Sequence, residues 1–461
     1  MKKILAIVLA VWATLPMAGK VTMPAFFGDG MMLQQQTDAS LWGVTSNKER
    51  AVTIFTSWNC KSYRVVADKN GVWRVKVQTP SYGGPYEITI NDGKILVIKD
   101  VKIGEVWLCA GQSNMHMGLN GKDYGPMLGT MEAITSKLNS DIRVFNIGHK
   151  FSNTPENECT GEWQKASPEF LGNFPAAAYY FAKKINEVLG VPVGLIHASY
   201  GGSTVHAWMS KEAVEPWSKL PEIQDRSILF NGVLNPIVGF SIKGALWYQG
   251  EANVEIPDLY MQMFPAMVAD WRKRWGEGDF PFYYAQIAPF NYNKGEGKGK
   301  NSAYLREVQT KCLDVIPNSG MAILTDVGDA RTIHPMRKQP VGNRFAYLAL
   351  SKTYGVKGFP PTGPTYKNMV VNGKEAELFF DNMGGYLTSF HEPLTDFEIA
   401  GEDKVFYPAH ARFGKANKSV IVTSDKVPRP VAVRYAFKDY VKGCLFNIYG
   451  LPATSFRTDD W

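Results

Sequence analysis

Residues 105–115 have the sequence EVWLCAGQSNM, a short apolar strand that ends in a tight polar turn. Further along the chain, strands of the same apolar kind alternate with helices of ten or more residues. The predicted strands cover residues 193–198, 243–248, 282–287 and 321–325, and the predicted helices cover residues 176–189, 258–275, 303–313 and 341–354. This alternation predicts an α/β fold in which helices cover both faces of a parallel sheet. Such sheets carry their active sites beyond the carboxyl ends of the strands.

β-rich sequence flanks this region on both sides. Before residue 104, short segments with period-two alternation, such as 72–77, are separated by Gly, Asn and Asp. After Pro360-Pro361 the same character returns, for example in residues 419–423. We therefore predict three regions: an N-terminal β domain (20–103), a central α/β domain (104–357) and a C-terminal β domain (358–461), the outer two being β-sandwich-like.

The first 19 residues have the pattern of an export signal. Lys2 and Lys3 precede a run from Ile4 to Met17 that is apolar apart from Thr14. This run is too short for a stable membrane span, and small residues follow it at positions 18 and 19. We predict a signal peptide and a periplasmic or secreted protein; the alternative is a buried N-terminal helix. No other segment is apolar enough to cross a membrane, so we expect no span in the mature chain.

Charge and cysteine content exclude several classes of protein. The formal net charge is +7, with no long block of Lys and Arg and no basic stripe with interleaved aromatic residues. Nucleic-acid binding is therefore not expected. The five cysteines are odd in number and widely spaced, without a C-x-x-C pair, so we expect neither a structural zinc site nor a disulfide scaffold. No sequence feature indicates an oligomeric state.

Four polar turns follow predicted strands and are the places where chemistry is expected. They are residues 111–115, 200–203, 247–253 and 326–335. A serine hydrolase needs a hydroxyl at the mouth of the sheet, a base to take its proton, and N–H donors for the oxyanion. Ser113 follows the first strand and His334 lies in the last of these turns. Gly202 allows the backbone to approach a substrate oxygen.

Each of these residues also has an ordinary structural interpretation. A lone serine after Gly-Gln is more often a helix N-cap than a nucleophile, and a Gly-Gly pair is usually a turn. Glu251 could be a solvated loop carboxylate and His334 a satisfied loop histidine. The G-x-S-x-G motif of the α/β-hydrolase elbow does not occur in the sequence. Composition and spacing alone therefore predict an α/β enzyme with β appendages.

Four blocks, in order along the chain, carry a resemblance to a known family. They are the EVWLCAGQSNM run at 105–115, Gly201-Gly202-Ser203 with Ala207-Trp208-Met209-Ser210, the WYQGEAN run at 247–253, and Ile333-His334-Pro335 with Lys338-Gln339 and Val341-Gly342. Together they resemble the sialate O-acetylesterases and related carbohydrate acetylesterases of the SGNH-hydrolase superfamily. Segments 24–35, 397–402 and 451–457 resemble the opening and closing parts of the same family. The resemblance thus covers nearly the whole mature chain.

The resemblance implies a flavodoxin-like SGNH catalytic domain that hydrolyses O-acetyl esters on sugars, with sialic acid the favoured carrier. Ser113 would attack the ester, and His334 would act as base and then as acid. The N–H groups of Ser113 and Gly202 and one amide side chain, from Gln249 or Asn253, would hold the oxyanion. No metal and no organic cofactor is implied. The alternatives are an esterase for acetylated xylan or another acyl sugar, and a catalytically inert glycan-binding protein.

The residue that orients the histidine is less clearly indicated. Relatives often carry an acid two or three positions before the histidine, where this chain has Arg331 and Thr332. Asp326 lies further up the loop, and related acetylesterases use the Glu of a Gln-Gly-Glu motif, here Glu251. We favour Glu251 slightly, and a Ser–His dyad is the third option.

Two further residues are candidates for contact with the substrate. His206 follows the Gly-Gly turn and could reach a bound sugar. Trp208 is also a candidate, although packing is the more common role of such a residue.

Overall fold

The structure is a computed structural model, and it describes residues 20–136, 138–292 and 302–461. The signal-peptide prediction falls on residues 1–19, which lie outside the described residues. In the described ranges, no helix has the length and apolar character needed to cross a membrane.

The N-terminal region consists of short strands in two sheets. Its strands are β1 (Val21–Thr22), β2 (Met32–Gln34), β3 (Asp38–Thr45), β4 (Ala51–Thr56), β5 (Lys61–Val66), β6 (Val72–Gln78), β7 (Gly83–Asn91) and β8 (Ile95–Gly111). One sheet has the order β1-β3-β6, and the other joins β5, β4 and β7 to β8 in antiparallel pairs while β2 pairs with β8 in parallel. Fully buried side chains from both sheets, such as Leu41 and Ile54, belong to one apolar core.

Strand β8 is continuous over 17 residues and belongs to both the N-terminal region and the central sheet. The sequence predicts separate strands at 95–98 and 105–110, with a break near Gly104. In the structure the strand continues through Gly104, and a glycine is needed there because this residue lies against the backbone at Pro192. A Cβ at this position would lie 2.2 Å from the carbonyl oxygen of Pro192. The predicted boundary at 103/104 therefore falls inside one strand.

Within the described residues, the central sheet follows the order β10-β9-β11-β8-β12-β13-β14. The additional strands are β9 (Asn139–Asn146), β10 (Trp163–Ala166), β11 (Val193–Ser199), β12 (Gly244–Tyr248), β13 (Phe282–Ala285) and β14 (Ser319–Ala322). All neighbours are parallel except the edge strand β10, which is antiparallel to β9. Successive residues of β8 enter different cores, with Trp107 on one face and Leu108 on the other.

Helices cover both faces of this sheet, as the sequence predicts. They are α1 (Ser113–His116), α2 (Thr130–Ile134), α3 (Ala176–Leu189), α4 (Lys211–Val214), α5 (Pro257–Trp275), α6 (Ala303–Val315) and α7 (Lys338–Leu348). Helices α3 and α7 pack on the face of Trp107, while α5 and α6 contribute to the core on the face of Leu108.

The C-terminal region is again built of strands and has a core of its own. Its strands are β15 (Thr365–Asn372), β16 (Glu375–Asp381), β17 (Leu387–Thr388), β18 (Phe397–Ala400), β19 (Phe406–Pro408), β20 (His410–Phe413), β21 (Ser419–Thr423), β22 (Ala432–Tyr435), β23 (Phe446–Asn447) and β24 (Phe456–Arg457). They form sheets of order β15-β16-β21-β20, β17-β23 and β19-β18-β22-β24.

Buried polar contacts fasten the C-terminal region to the central domain. The guanidinium of Arg306 in α6 donates to the carbonyl oxygen of Ala436 at 3.2 Å and to Oγ of Ser455 at 3.2 Å. The hydroxyl of Thr325 donates to the carbonyl oxygen of Ala453 at 2.9 Å. Because Thr325 begins the segment that leads to His334, the C-terminal region anchors one end of that segment.

Candidate active site

The turn after β8 carries Ser113 at the carboxyl edge of the sheet. Gln112 fixes this turn, because its N–H donates to the carbonyl oxygen of Tyr248 at 3.0 Å. Its side-chain oxygen accepts from the N–H groups of Gly250 (3.2 Å) and Ala252 (3.3 Å). These bonds join the nucleophile turn to the turn after β12. Ser113 is the first residue of α1 and is 5% exposed.

The imidazole of His334 lies beside the Ser113 hydroxyl, although 221 residues separate the two in the sequence. Its Nε2 is 2.8 Å from Ser113 Oγ, which is within reach for a general base. The His334 N–H donates to Thr332 Oγ1 at 3.1 Å, and the ring meets Tyr124 edge-on with centroids 4.8 Å apart. Burial, together with the charge of Lys338, lowers the pKa of His334 to about 4. The ring is therefore unprotonated at neutral pH and can accept a proton.

A buried network lies under this pair and has Asn114 at its centre. Nδ2 of Asn114 donates to Oε1 of Glu251 at 2.6 Å and to the carbonyl oxygen of Ile333 at 3.1 Å. Oδ1 of Asn114 accepts from the Lys338 ammonium at 2.5 Å. Since Ile333 immediately precedes His334, Asn114 links the nucleophile turn to the backbone of the histidine.

The two charged members of this network are removed from water. Glu251 is 5% exposed and Lys338 is 0% exposed. Burial raises the pKa of the Glu251 carboxyl, and hydrogen bonds and the Lys338 charge offset part of that effect. Burial likewise lowers the pKa of Lys338 to about 7, against the opposing effect of Glu251. The two residues therefore depend on each other and on Asn114 to remain charged.

The structure places the two acid candidates differently. Both oxygens of Asp326 accept from the guanidinium of Arg344, each at 2.7 Å. Glu251 is linked to the histidine loop through Asn114, which donates both to its carboxylate and to the carbonyl oxygen of Ile333. Among the described residues, neither carboxylate accepts a hydrogen bond from the His334 ring. Ser113 and His334 are thus in hydrogen-bond contact. Glu251 is connected to the histidine loop through one intervening residue, and Asp326 forms an ion pair with Arg344.

The Gly-Gly turn after β11 passes directly beside Ser113. A Cβ at Gly201 would lie 3.7 Å from Cβ of Ser113 and 2.8 Å from the hydroxyl of Tyr124. Gly202 has a φ of +71°, in the left-handed region that glycine adopts without strain, and a Cβ there would meet nothing within 4 Å. The backbone at this point is open to a bound molecule.

The amide candidates Gln249 and Asn253 differ in which donors are free. Nε2 of Gln249 donates to the carbonyl oxygen of Ser203 at 3.0 Å and to Oδ1 of Asn253 at 2.7 Å. The same Oδ1 also accepts from the N–H of Val205 at 2.9 Å, which fixes the orientation of the Asn253 amide. Nδ2 of Asn253 is buried and has no hydrogen-bond partner among the described residues. Asn253 therefore offers the uncommitted donor.

The two candidates for substrate contact also have different surroundings. Trp208 is 0% exposed; its Nε1 donates to Ser203 Oγ at 2.9 Å and its ring meets Trp247 edge-on. A fully buried ring offers no face to a sugar, so the packing role describes this residue. His206 is 2% exposed, has Nε2 2.8 Å from Thr204 Oγ1, and lines a cavity beside Gly202.

Sequence reasoning did not assign a role to Asn114, Lys338 or Tyr124. Asn114 adjoins the predicted nucleophile, and Lys338 appears in the histidine block, but nothing in the sequence marks a lysine as buried. Tyr124 lies in an irregular segment between α1 and α2, where no pattern predicts its neighbours.

A doubly covered parallel sheet with this arrangement at its carboxyl edge is the α/β architecture of the SGNH hydrolases, which include carboxylic ester hydrolases. A model of the carbohydrate esterase, sialic acid-specific acetylesterase family matches residues 103–349, which is more than half of the chain. The chain belongs to this family and is a carboxylic ester hydrolase.

Known proteins agree with this assignment. The solved structure of a carbohydrate acetylesterase from Xanthomonas citri is similar, with a TM-score of 0.88 and 34% identity; the match covers 96% of this chain and 100% of that one. The human sialate O-acetylesterase is 27% identical over 404 residues, covering 78% of this chain and 76% of the human protein. The mouse sialate O-acetylesterase is 25% identical over 416 residues, covering 75% and 76%. The predicted family and fold class are confirmed.

Proposed function

We propose that the protein removes O-acetyl groups from sugars by acyl transfer through Ser113 and His334. The observation that carries the proposal is the 2.8 Å distance between Ser113 Oγ and His334 Nε2 at the carboxyl edge of the sheet. The unprotonated state of the imidazole is a second support, because a general base must be able to accept the serine proton.

The reaction proceeds in two acyl-transfer steps. Ser113 Oγ attacks the acetyl carbonyl carbon while its proton passes to His334 Nε2. The tetrahedral intermediate collapses, the C–O bond to the sugar breaks, and His334 returns the proton to the departing sugar oxygen. Water then attacks the acetyl-serine and gives its proton to His334. Collapse of this second intermediate frees acetate, and Ser113 Oγ recovers the proton.

The oxyanion is held by backbone and side-chain donors around the nucleophile. We assign this role to the N–H groups of Ser113 and Gly202 and to Nδ2 of Asn253. The commitments of Gln249 to Ser203 and Asn253 favour Asn253 over Gln249. Donors of this kind contribute about 3–4 kcal/mol each to the stabilisation of the transition state.

In this proposal the orienting carboxylate acts on the histidine through one intervening residue. Ser113 and His334 work as a dyad, and Glu251 is a positioning residue that acts on His334 through Asn114. Asp326 has a structural role through its pairing with Arg344.

Sialic acid is the proposed carrier of the acetyl group, because the family and the mammalian relatives are named for sialic acid. An esterase for acetylated xylan on the same machinery is the alternative, and acetate release from the two substrates separates them. We further propose that residues 1–19 direct the protein to the periplasm or the exterior. We also propose that the regions 20–103, 104–357 and 358–461 are its three domains, the first two of which share β8.

The proposal is tested with Ser113→Ala. We expect kcat for 4-nitrophenyl acetate and for O-acetylated sialic acid to fall by at least about 10⁴-fold, because removal of an activated nucleophile has effects of this size. Ser319→Ala is the matched control, since Ser319 is also 5% exposed and bonds only structurally, to the carbonyl oxygen of Ile316. If Ser113→Ala retains the activity of Ser319→Ala, the nucleophile assignment is refuted.

A further inference from the structure

A cavity of about 320 Å³ lies beside the nucleophile turn, at the end of α1. This size lies at the small end of the range for small-molecule sites. Its polar walls are formed by side chains of His116, His149, Asn120 and Asn173, among others. Its lining does not include Ser113 or His334, the residues proposed above as nucleophile and base.

The walls of this cavity are continuous with the candidate active site on two sides. His116 is three residues after Ser113 in α1, a distance of about 4.5 Å along the helix axis. The ring of Tyr124 meets both His116, at 5.8 Å, and His334, at 4.8 Å. The ring of His149 lies 5.0 Å from that of Tyr200. The cavity therefore adjoins the place where the acetyl group of a substrate would meet Ser113.

A chain of hydrogen bonds sets the protonation of His116. Asn146 Oδ1 lies 2.8 Å from His197 Nδ1, His197 Nε2 lies 2.5 Å from Ser199 Oγ, and that oxygen lies 3.0 Å from His116 Nδ1. Because an amide oxygen can only accept, His197 Nδ1 donates to Asn146, His197 Nε2 accepts from the Ser199 hydroxyl, and Ser199 Oγ accepts from His116 Nδ1. The nitrogen that faces Ser199 thus carries the hydrogen. In the neutral ring, Nε2 is then an acceptor.

The surroundings keep this acceptor uncharged. Burial lowers the pKa of His116, and the charge of His149 lowers it further. A neutral nitrogen lone pair pairs with a hydroxyl donor and repels a carboxylate, which can only accept. Lys122 and Asp123 also line the cavity and carry opposite charges. Within the described ranges, no three or more His, Cys, Asp or Glu residues are arranged to hold a metal ion.

We propose that this cavity is a sugar subsite for the neutral, hydroxyl-bearing part of the acetylated substrate, with one hydroxyl donating to Nε2 of His116. The proposal rests on the function proposed above and adds which part of the sugar is recognised. Asn120 Nδ2 donates to Asn173 Oδ1 at 3.2 Å, so the Asn173 amide is oriented with its Nδ2 available to a second hydroxyl.

The test compares a sugar substrate with one that has no sugar. The value of kcat/KM is measured for O-acetylated sialic acid and for 4-nitrophenyl acetate, and the ratio of the two is compared between variants. For His116→Phe, which keeps a ring but removes Nε2, we expect the ratio to fall about tenfold, the effect of one lost hydrogen bond. Asn173 is exposed and lies outside α1, and Asn173→Ala should also lower the ratio. His410→Ala, an exposed histidine of the C-terminal region, is the control and should keep the wild-type ratio.

The outcomes distinguish this proposal from the proposed function. If His116→Phe and Asn173→Ala both keep the wild-type ratio, the cavity does not bind the sugar, even when Ser113→Ala is inactive on both substrates. If methyl esterification of the sugar carboxylate abolishes the effect of His116→Phe, the cavity binds the carboxylate, and the hydroxyl assignment is refuted. If Ser113→Ala remains active, the proposed function fails independently of the ratio.

Discussion

Replacement of Asn114 by alanine removes the centre of the buried network. The side chain makes two hydrogen bonds to charged partners, Glu251 and Lys338, and one to the backbone carbonyl of Ile333. Bonds to charged groups contribute about 1.5–3 kcal/mol each, and a neutral one contributes about 1 kcal/mol. Because the two freed charges can recover part of their attraction directly, we expect the free energy of unfolding to fall by about 4 kcal/mol.

The same replacement releases the backbone that positions His334. A displacement of about 1 Å at a reacting group costs about 10²-fold in rate, so kcat should fall by about that factor while KM changes little. The free energy of unfolding is measured by urea denaturation at pH 7, and kcat with 4-nitrophenyl acetate under conditions where the variant is folded. Near-ultraviolet circular dichroism establishes that it is folded.

Asn447→Ala is the matched control for this prediction. Asn447 is 0% exposed and also bonds through both side-chain atoms, but only to backbone groups in the C-terminal region. Its loss should reduce stability without changing kcat. A wild-type kcat in Asn114→Ala would show that the network does not position His334. A loss of less than about 1 kcal/mol would contradict the charged character of its bonds.

Two further predictions follow from the charges around the site. The acid limb of the pH profile of kcat/KM should lie near pH 4, because the proposed base His334 must be unprotonated. Since the charge of Lys338 lowers the pKa of His334, Lys338→Met should move that limb to higher pH. A limb that stays in place or moves to lower pH would contradict this. Asp326→Asn should lower the free energy of unfolding by about 3 kcal/mol because it leaves Arg344 unpaired, and kcat should be nearly unchanged. Glu251→Gln should instead lower kcat. Urea denaturation and steady-state kinetics measure the two effects, and the reverse pattern would make Asp326 the orienting acid.

Much of the fold follows from patterns in the sequence. The predicted helix at 176–189 is observed at those residues, and Gly190 ends it with a φ of +68°. The helix predicted from residue 341 begins at Lys338 instead. Pro340 lies in its first turn, where proline is tolerated because its missing N–H has no partner to lose.

The site was predictable only in part. The positions of Ser113 and His334 at strand ends follow from the alternation of strands and helices together with the order of the four blocks. The surroundings of Glu251 and Asp326 do not follow, because a sequence does not show which cation a carboxylate meets. Arg344 lies 18 residues after Asp326, and Lys338 is a charged residue that only tertiary packing buries.

The continuity of β8 has a consequence for any attempt to shorten the protein. A cut at residue 103 would divide this strand at the point where its pairs with β2 and β7, which end at Gly104 and Ile103, give way to its pairs with β11 and β12. Ser113, the proposed nucleophile, follows the end of the same strand, so we expect the smallest active fragment to include the N-terminal sheet as well.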